Sequence, residues 1–311
     1  MMITLKKKPI VLNVLFLPPI IFILIFVLST CTLREVQPPP EVSPPPPPKP
    51  AKIGLVLGAG SSKGFAHIGV LKILEMHKIP IHMIVGTSVG SAVGSLYAYG
   101  HNAIQLQKLS FSIEKGDIID LTIPENGFIK GEKLEEFINK NVKYTPIEKL
   151  KIPFYAVTVD LQSGQEVVFG KGNTGTAVRA SCAIPGIFRP VRIGDKMYVD
   201  GGVVSPVAVD AARRWGADIV IAVDISTGVE RVLPENTIET ILQSINIMYS
   251  KLATIQLSKA DVVIKPKVGY IGSADFSKRH EAILEGEKAT IEIMPQLLQI
   301  LNQLRKEGRL E

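Results

Sequence analysis

The sequence predicts an α/β domain of three layers, in which a mainly parallel central sheet is covered by helices on both faces. Two observations predict it. Short apolar runs alternate with helical stretches from Ala51 onward. The first two of these runs each end in a glycine-containing turn that leads straight into a helix, as parallel strands with crossover helices require.

The elements follow in order. Residues 52–57 (KIGLVL) read as a buried strand, followed by a glycine-rich turn and a helix over about 63–77. Residues 82–85 form a second strand, followed by Gly86-Thr87-Ser88-Val89-Gly90 and a small-residue helix to about Tyr99. Further strands are expected at 154–160, 166–169, 196–199, 218–225 and 261–265. Helices fit at about 134–142, 174–183, 207–215, 237–258 and 281–304. The stretch 105–150 has weaker periodicity and is expected to cover one side of the site. No internal repeat is visible.

The chain has 311 residues, 46% hydrophobic and 21% charged, enough for one large domain with a full core. The net charge of +6 includes +3 from Lys6, Lys7 and Lys8, and no basic run interleaved with aromatics follows, which argues against a nucleic-acid partner. Two cysteines, Cys31 and Cys182, make no disulfide framework.

Residues 1–30 read as a targeting segment: Lys6–Lys8, a nearly wholly apolar stretch over 10–28, then Leu28-Ser29-Thr30-Cys31. The order resembles a bacterial lipoprotein signal, which implies that Cys31 is acylated and becomes the new N-terminus. Thr30 departs from the Gly, Ala or Ser usual before that cysteine. The alternative is an uncleaved membrane helix, since the apolar stretch is just long enough to span, although Pro18-Pro19 would kink it. Both readings tether the chain to a membrane and, by the lysine bias, place it outside the cytoplasm. Thr32 after Cys31 leans towards an outer membrane on the periplasmic side. Residues 31–50, with the run QPPPEVSPPPPPKP, are a proline-rich linker in extended polyproline II, so the folded domain is expected over 51–311.

Three motifs carry chemistry. The first is Gly86-Thr87-Ser88-Val89-Gly90, a G-x-S-x-G between a strand and a helix. Gly86 and Gly90 permit a sharp turn that projects the Ser88 hydroxyl, with free N–H groups of the helix start beneath it. The same residues also suit a glycine turn with an N-cap serine. The second is Gly58-Ala59-Gly60-Ser61-Ser62-Lys63-Gly64. Its glycine spacing fails the dinucleotide fingerprint, and the order Lys63-Gly64-Phe65 fails the Walker loop. It is left as an anion cradle, in which the N–H groups of Gly60, Ser61 and Ser62 are candidates to receive an oxyanion and Lys63 adds positive charge. The third is Asp200-Gly201-Gly202 at a strand end: ordinary turn chemistry alone, but a candidate base for Ser88. Only His280 follows Asp200 in the order a Ser-acid-His triad needs, and it lies in a charged stretch; His67 reads as packing or a local hydrogen bond.

In these blocks the chain resembles the patatin-like phospholipase family. The resemblance extends over about 53–289 and includes Ala180-Ser181 with Pro185 and Phe188-Arg189-Pro190. Phe65-Ala66-His67-Ile68-Gly69-Val70-Leu71 looks most like the bacterial branch. Ala59 and Ser61 stand where many members have glycine, and Lys63 where most have arginine. The resemblance implies a Ser88–Asp200 dyad that cleaves lipid acyl esters through an acyl-serine, with no metal or other cofactor. Membrane lipids or other acyl esters are the expected substrates. A decayed lipid- or partner-binding envelope lipoprotein, or a thioesterase or esterase on other acyl donors, are the competing readings. A carboxylate base is expected to titrate below an unperturbed histidine unless burial raises it.

Overall fold

In the computed structural model the described residues are 47–123, 126–226 and 234–310. The targeting segment, Cys31 and most of the proline-rich linker lie outside them. β1 (Ile53–Leu57) is buried at every position, which is why its sequence is a continuous apolar run. Ile53, Leu55 and Leu57 point to one face of the sheet and Val56 to the other. β1 pairs in parallel with β2 (Met83–Thr87) and β7 (Ile219–Val223), β2 with β3 (Phe154–Asp160), and β7 with β8 (Val262–Ile264). β4 (Glu166–Phe169) and β6 (Lys196–Asp200) run antiparallel to β3, and β5 (Val191–Ile193) antiparallel to β6. Among the described residues this makes an eight-stranded mixed sheet of order β5-β6-β3-β2-β1-β7-β8, with β4 also on β3.

Helices cover both faces. α1 (Phe65–Met76), α2 (Val89–Tyr99), α3 (Ala103–Ser112), a short α4 (Lys115–Ile118), α5 (Glu132–Asn141) and α6 (Thr174–Ser181) precede β5 in the chain. α7 (Val209–Arg214), α8 (Thr237–Leu257) and α9 (Arg279–Lys306) follow β6. α1, α2 and α9 share the core that holds Leu55 and Leu57, while α7 and Ala253 of α8 pack on the opposite face with Val56 and Val220. α1 and α9 cross at paired glycines: a Cβ on Gly69 would meet the Ile283 carbonyl oxygen at 2.0 Å, and one on Gly286 the Ala66 oxygen at 2.0 Å.

The three-layer expectation holds. The helix expected from residue 63 begins with a tight 3-10 turn, Ser61–Gly64, before α1. β5, α3 and α4 are additions. β5 is only three residues long between Pro190 and the Gly194-Asp195 turn, too short to register as a period. The 105–150 stretch builds a side wall of the site from α3, α5 and, between them, Ile113, Ile118, Ile119 and Ile129.

Candidate active site

Ser88 stands between β2 and α2 with φ 55° and ψ −127°, left-handed backbone that a side chain rarely adopts. Such a residue costs on the order of 1–3 kcal/mol and persists only where its surroundings dictate it. They do so here through bare backbone. A Cβ on Gly90 would lie 2.0 Å from the Leu57 oxygen, and one on Gly86 2.5 Å from the Ser91 Cα, so α2 folds back onto β1 and β2 only because both are glycine. The Ser88 N–H donates to Ser181 Oγ at 2.9 Å, and that hydroxyl donates to the Val157 oxygen at 2.6 Å. Ser91 Oγ donates to the Ser88 oxygen at 2.6 Å. The elbow is thus tied to β3 through α6 and to the first turn of its own helix.

The glycine-rich loop lies beside it. Gly58 and Ala59 donate to the carbonyls of Val223 and Pro206 at 3.1 and 2.8 Å, which fixes the loop over the ends of β1 and β7. Ser61, with φ 53°, is a second left-handed non-glycine residue at the site. Among the described residues neither the Gly60 nor the Ser61 N–H has an acceptor. The Ser62 N–H, the third candidate donor, is engaged by the Ser273 oxygen at 3.2 Å, and Ser62 Oγ donates to the Gly272 oxygen at 2.6 Å. Gly64 abuts Val89: a Cβ there would fall 2.2 Å from Val89 Cγ2, so loop and elbow move together. Lys63 is 1% exposed and is directed into the protein rather than onto the cavity wall. His67 is fully buried with Nε2 2.9 Å from the Gly58 oxygen. A carbonyl only accepts, so the proton sits on Nε2, and burial lowers the His67 pKa to about 4, keeping the ring neutral.

Strand register brings Asp200 to the same place. Thr87 pairs with Val157 and Asp200 with Thr158, so the serine and the carboxylate flank adjacent residues of β3. Gly201 passes directly over Val157, where a Cβ would lie 2.3 Å from its oxygen. Asp200 N–H donates to the Ala183 oxygen at 2.9 Å, and Asp200 Oδ1 accepts from the Gly202 N–H at 2.7 Å. The side chain is fully buried. Burial pushes its pKa up to about 6, against the charge-stabilising pull of the Ser88 hydroxyl, the Gly202 N–H and the Tyr249 hydroxyl. Both hydroxyls therefore adjoin the carboxyl group, although Oδ2 makes no aligned hydrogen bond in this resting arrangement.

An apolar cavity of about 250 Å³ opens from Ser88. Its near end is Ser61, Ser62, Gly64 and Ser88; α2 contributes Ala92, Val93 and Leu96; α3 adds Leu106 and Leu109; α5 adds Leu134, Phe137 and Ile138. Ile187, Phe188 and Leu242 close the side towards β5 and α8. Cys182 also faces it, as a buried neutral thiol whose pKa is raised far by burial and by Asp200. No histidine is on the wall, and His280 is exposed, its ring 6.2 Å from that of Phe111. Among the described residues no three His, Cys, Asp or Glu side chains converge as a metal site would need.

The structure thus gathers Ser88, Asp200, Gly60, Ser61, Gly86, Gly90, Gly201 and Gly202 at one point, and sets Lys63 aside. Tyr249 and Ser181 join them without having been singled out as site residues by the sequence.

The profile described as Patatin-like phospholipase matches residues 55–213, just over half of the chain. Lysophospholipase NTE1 of the yeast Scheffersomyces stipitis is 32% identical over 185 residues, which cover 58% of this chain and 12% of that protein. An uncharacterized NTE family protein of Mycobacterium tuberculosis is 33% identical over 196 residues, 61% of this chain and 53% of that one. The chain therefore matches about half or less of the length of these curated relatives. Among solved structures, VipD from Legionella pneumophila superposes with a TM-score of 0.46 at 13% identity, over 80% of this chain and 67% of that one.

Proposed function

The chain belongs to the patatin-like phospholipase family, and from that premise we propose that it is a serine-dependent lipid acyl hydrolase with Ser88 as nucleophile and Asp200 as base. The observation that carries the reading is the meeting of a strained, apolar-cavity serine with a buried carboxylate of raised pKa, where no imidazole is present. A carboxylate near pKa 6 is a much better proton acceptor than one near 4, yet is still ionised at neutral pH.

The reaction is a double displacement. Asp200 takes the Ser88 proton as Oγ attacks the ester carbonyl carbon. The carbonyl oxygen becomes an oxyanion, met by the unoccupied N–H groups of Gly60 and Ser61; one such donor contributes about 3 kcal/mol in comparable sites. The tetrahedral species collapses, the alcohol leaves with the proton from Asp200, and an acyl-Ser88 remains. Water then attacks with Asp200 again as base, and the fatty acid is released.

The cavity sets the substrate. An apolar cavity of about 150 Å³ holds a six-carbon benzene, so on the same scale 250 Å³ takes about ten carbons of one chain. That fits a single acyl chain entering from Ser88, as in a phospholipid or lysophospholipid, with the head group left outside. Acylation at Cys31, or an uncleaved helix over 10–28, would hold the domain against a membrane outside the cytoplasm, next to such lipids.

The test is incubation of the full-length protein with vesicles of mixed membrane lipids, reading free fatty acids and lysolipids by mass spectrometry. Release that disappears in Ser88→Ala supports the reading. Release only from acyl thioesters would make the protein a thioesterase, and no release from any acyl donor would favour a lipid-binding protein.

A further inference from the structure

Tyr249 belongs to the inner stripe of α8, in line with Ile245 and Ala253, and is 4% exposed. A buried tyrosine hydroxyl ordinarily has a hydrogen-bond partner. Here the Tyr249 hydroxyl and Oδ2 of Asp200 are both buried and neither makes an aligned hydrogen bond. The hydroxyls of Tyr249 and Ser88 both adjoin the carboxyl group, and the neutral Cys182 thiol faces it as well. The phenol can donate and Oδ2, when ionised, can only accept. The geometry between them is set by Gly202. A Cβ at that position would lie 2.3 Å from Tyr249 Cζ and 2.6 Å from its hydroxyl oxygen, so the phenol tip rests directly on the turn that carries Asp200. The N–H of the same Gly202 already holds Oδ1 at 2.7 Å. Tyr249 is not on the wall of the acyl cavity but packs behind Ile184 and Ile187, which are, so its hydroxyl meets the site at the carboxylate and not at the acyl chain.

We propose that Tyr249 is the positioning residue of the base, donating its hydroxyl to Oδ2 of the ionised Asp200 and thereby setting the pH at which the site becomes competent. The two carboxylate oxygens then have separate anchors: Gly202 N–H for Oδ1, and the Tyr249 hydroxyl for Oδ2. Burial and the neighbouring carboxylate push the tyrosine's own pKa well above its ordinary value, so it keeps its proton and acts as a donor throughout the working range. Removing that donor leaves Asp200 buried with one fewer charge-stabilising contact, and the carboxyl group stays protonated to higher pH. Gly202 is glycine, on this reading, because any side chain would lift the phenol off the turn.

This inference rests on Asp200 being the base. The experiment is the pH dependence of kcat/KM from pH 4.5 to 9 on a short-chain p-nitrophenyl ester, for the full-length wild type, Tyr249→Phe, Gly202→Ala and Asp200→Asn. The acid limb of Tyr249→Phe is expected to move up by about one pH unit, the scale of one hydrogen bond to a charged group, with KM little changed. Gly202→Ala should move the limb the same way, and the double variant no further than either single one, because both remove the same contact. An acid limb of Tyr249→Phe that coincides with the wild type overturns the inference, as does a shift to lower pH. If Tyr249→Phe fails to fold, a Gly202→Ala profile identical to wild type overturns it equally. Full turnover in Asp200→Asn would instead remove the base assignment itself, whatever Tyr249→Phe does.

Discussion

Asp200→Asn should make the protein inactive and, at neutral pH, more stable. The carboxyl group is fully buried and its pKa stands at about 6 against an ordinary 3.8. That difference of about two pH units, at 1.36 kcal/mol for each, means that holding the charge inside the fold costs about 3 kcal/mol. The sign follows from linkage. A folded-state pKa raised above the unfolded one gives stability that is fully present below about pH 4 and lost as pH rises through about 6. Asparagine never ionises, and its carbonyl oxygen keeps the 2.7 Å bond from the Gly202 N–H. Urea unfolding followed by circular dichroism should therefore show wild type and Asp200→Asn close together near pH 4. The gap should open in favour of the variant between pH 4 and 6, and level off at about 3 kcal/mol above pH 7. A gap that does not vary with pH, or a variant less stable than wild type at pH 8, would refute the picture of a buried charge held at a cost.

The remaining predictions test other parts of the site. Ser88→Ala should abolish both hydrolysis and labelling by a fluorophosphonate probe, read by intact-protein mass spectrometry; labelling that survives places the nucleophile elsewhere. His280→Ala should lower kcat/KM less than about tenfold, or roughly 1.4 kcal/mol of barrier, because the ring is exposed and off the cavity wall. Leu109→Trp fills the cavity and should suppress hydrolysis of long-chain esters while butyrate esters are cleaved within a few-fold of wild type, measured as kcat/KM against chain length. Cys31→Ser should leave a longer, unlipidated precursor on immunoblot and metabolic lipid labelling; unchanged size and labelling would give the segment over to an uncleaved helix.

What was legible in the sequence is what backbone geometry demands. Gly86 and Gly90 mark the elbow because nothing larger clears the Leu57 oxygen and Ser91, and that exclusion is written in the residue type itself. The same holds for Gly201 over β3. The sequence could not say which N–H groups of the loop are already taken, since the Ser62 donor is satisfied by Ser273, far along the chain. Nor did it single out Tyr249, which looks like one more apolar position in the stripe of a long helix until strand order brings Asp200 beneath it. Ser181 is similar: its block carries the family resemblance, but its bond to the Ser88 N–H depends on α6 docking over β3. The pH expectation needed the structure most. A carboxylate base is expected to titrate below histidine unless burial raises it, and burial does move Asp200 to about 6, into the imidazole range. The acid limb alone therefore does not distinguish a dyad from a triad, and the paired variants Asp200→Asn and His280→Ala carry that decision.

With Asp200 as the proposed base, activity and stability at this site would both follow from the raised pKa of its carboxyl group. A serine hydroxyl is a poor acid, and a solvated carboxylate near pKa 4 accepts its proton badly. Raising the carboxylate to about 6 narrows that mismatch by about two pH units, and in a general base such narrowing speeds proton transfer. The same rise is the free energy by which the folded state disfavours the charge. Donors around Asp200 then act in opposite directions on the two properties. Each added donor stabilises the ionised fold and weakens the base; each one removed strengthens the base and keeps it protonated further up the pH scale. With Gly202 and Tyr249 in place, Asp200 is ionised at pH 7 and still more basic than an exposed aspartate. A variant that gains stability at neutral pH by setting a stronger donor near the carboxylate, such as Cys182→Ser, should show an acid limb moved down and a lower plateau rate. If plateau rate and stability rose together in that variant, the coupling argued from the raised pKa of Asp200 would be wrong.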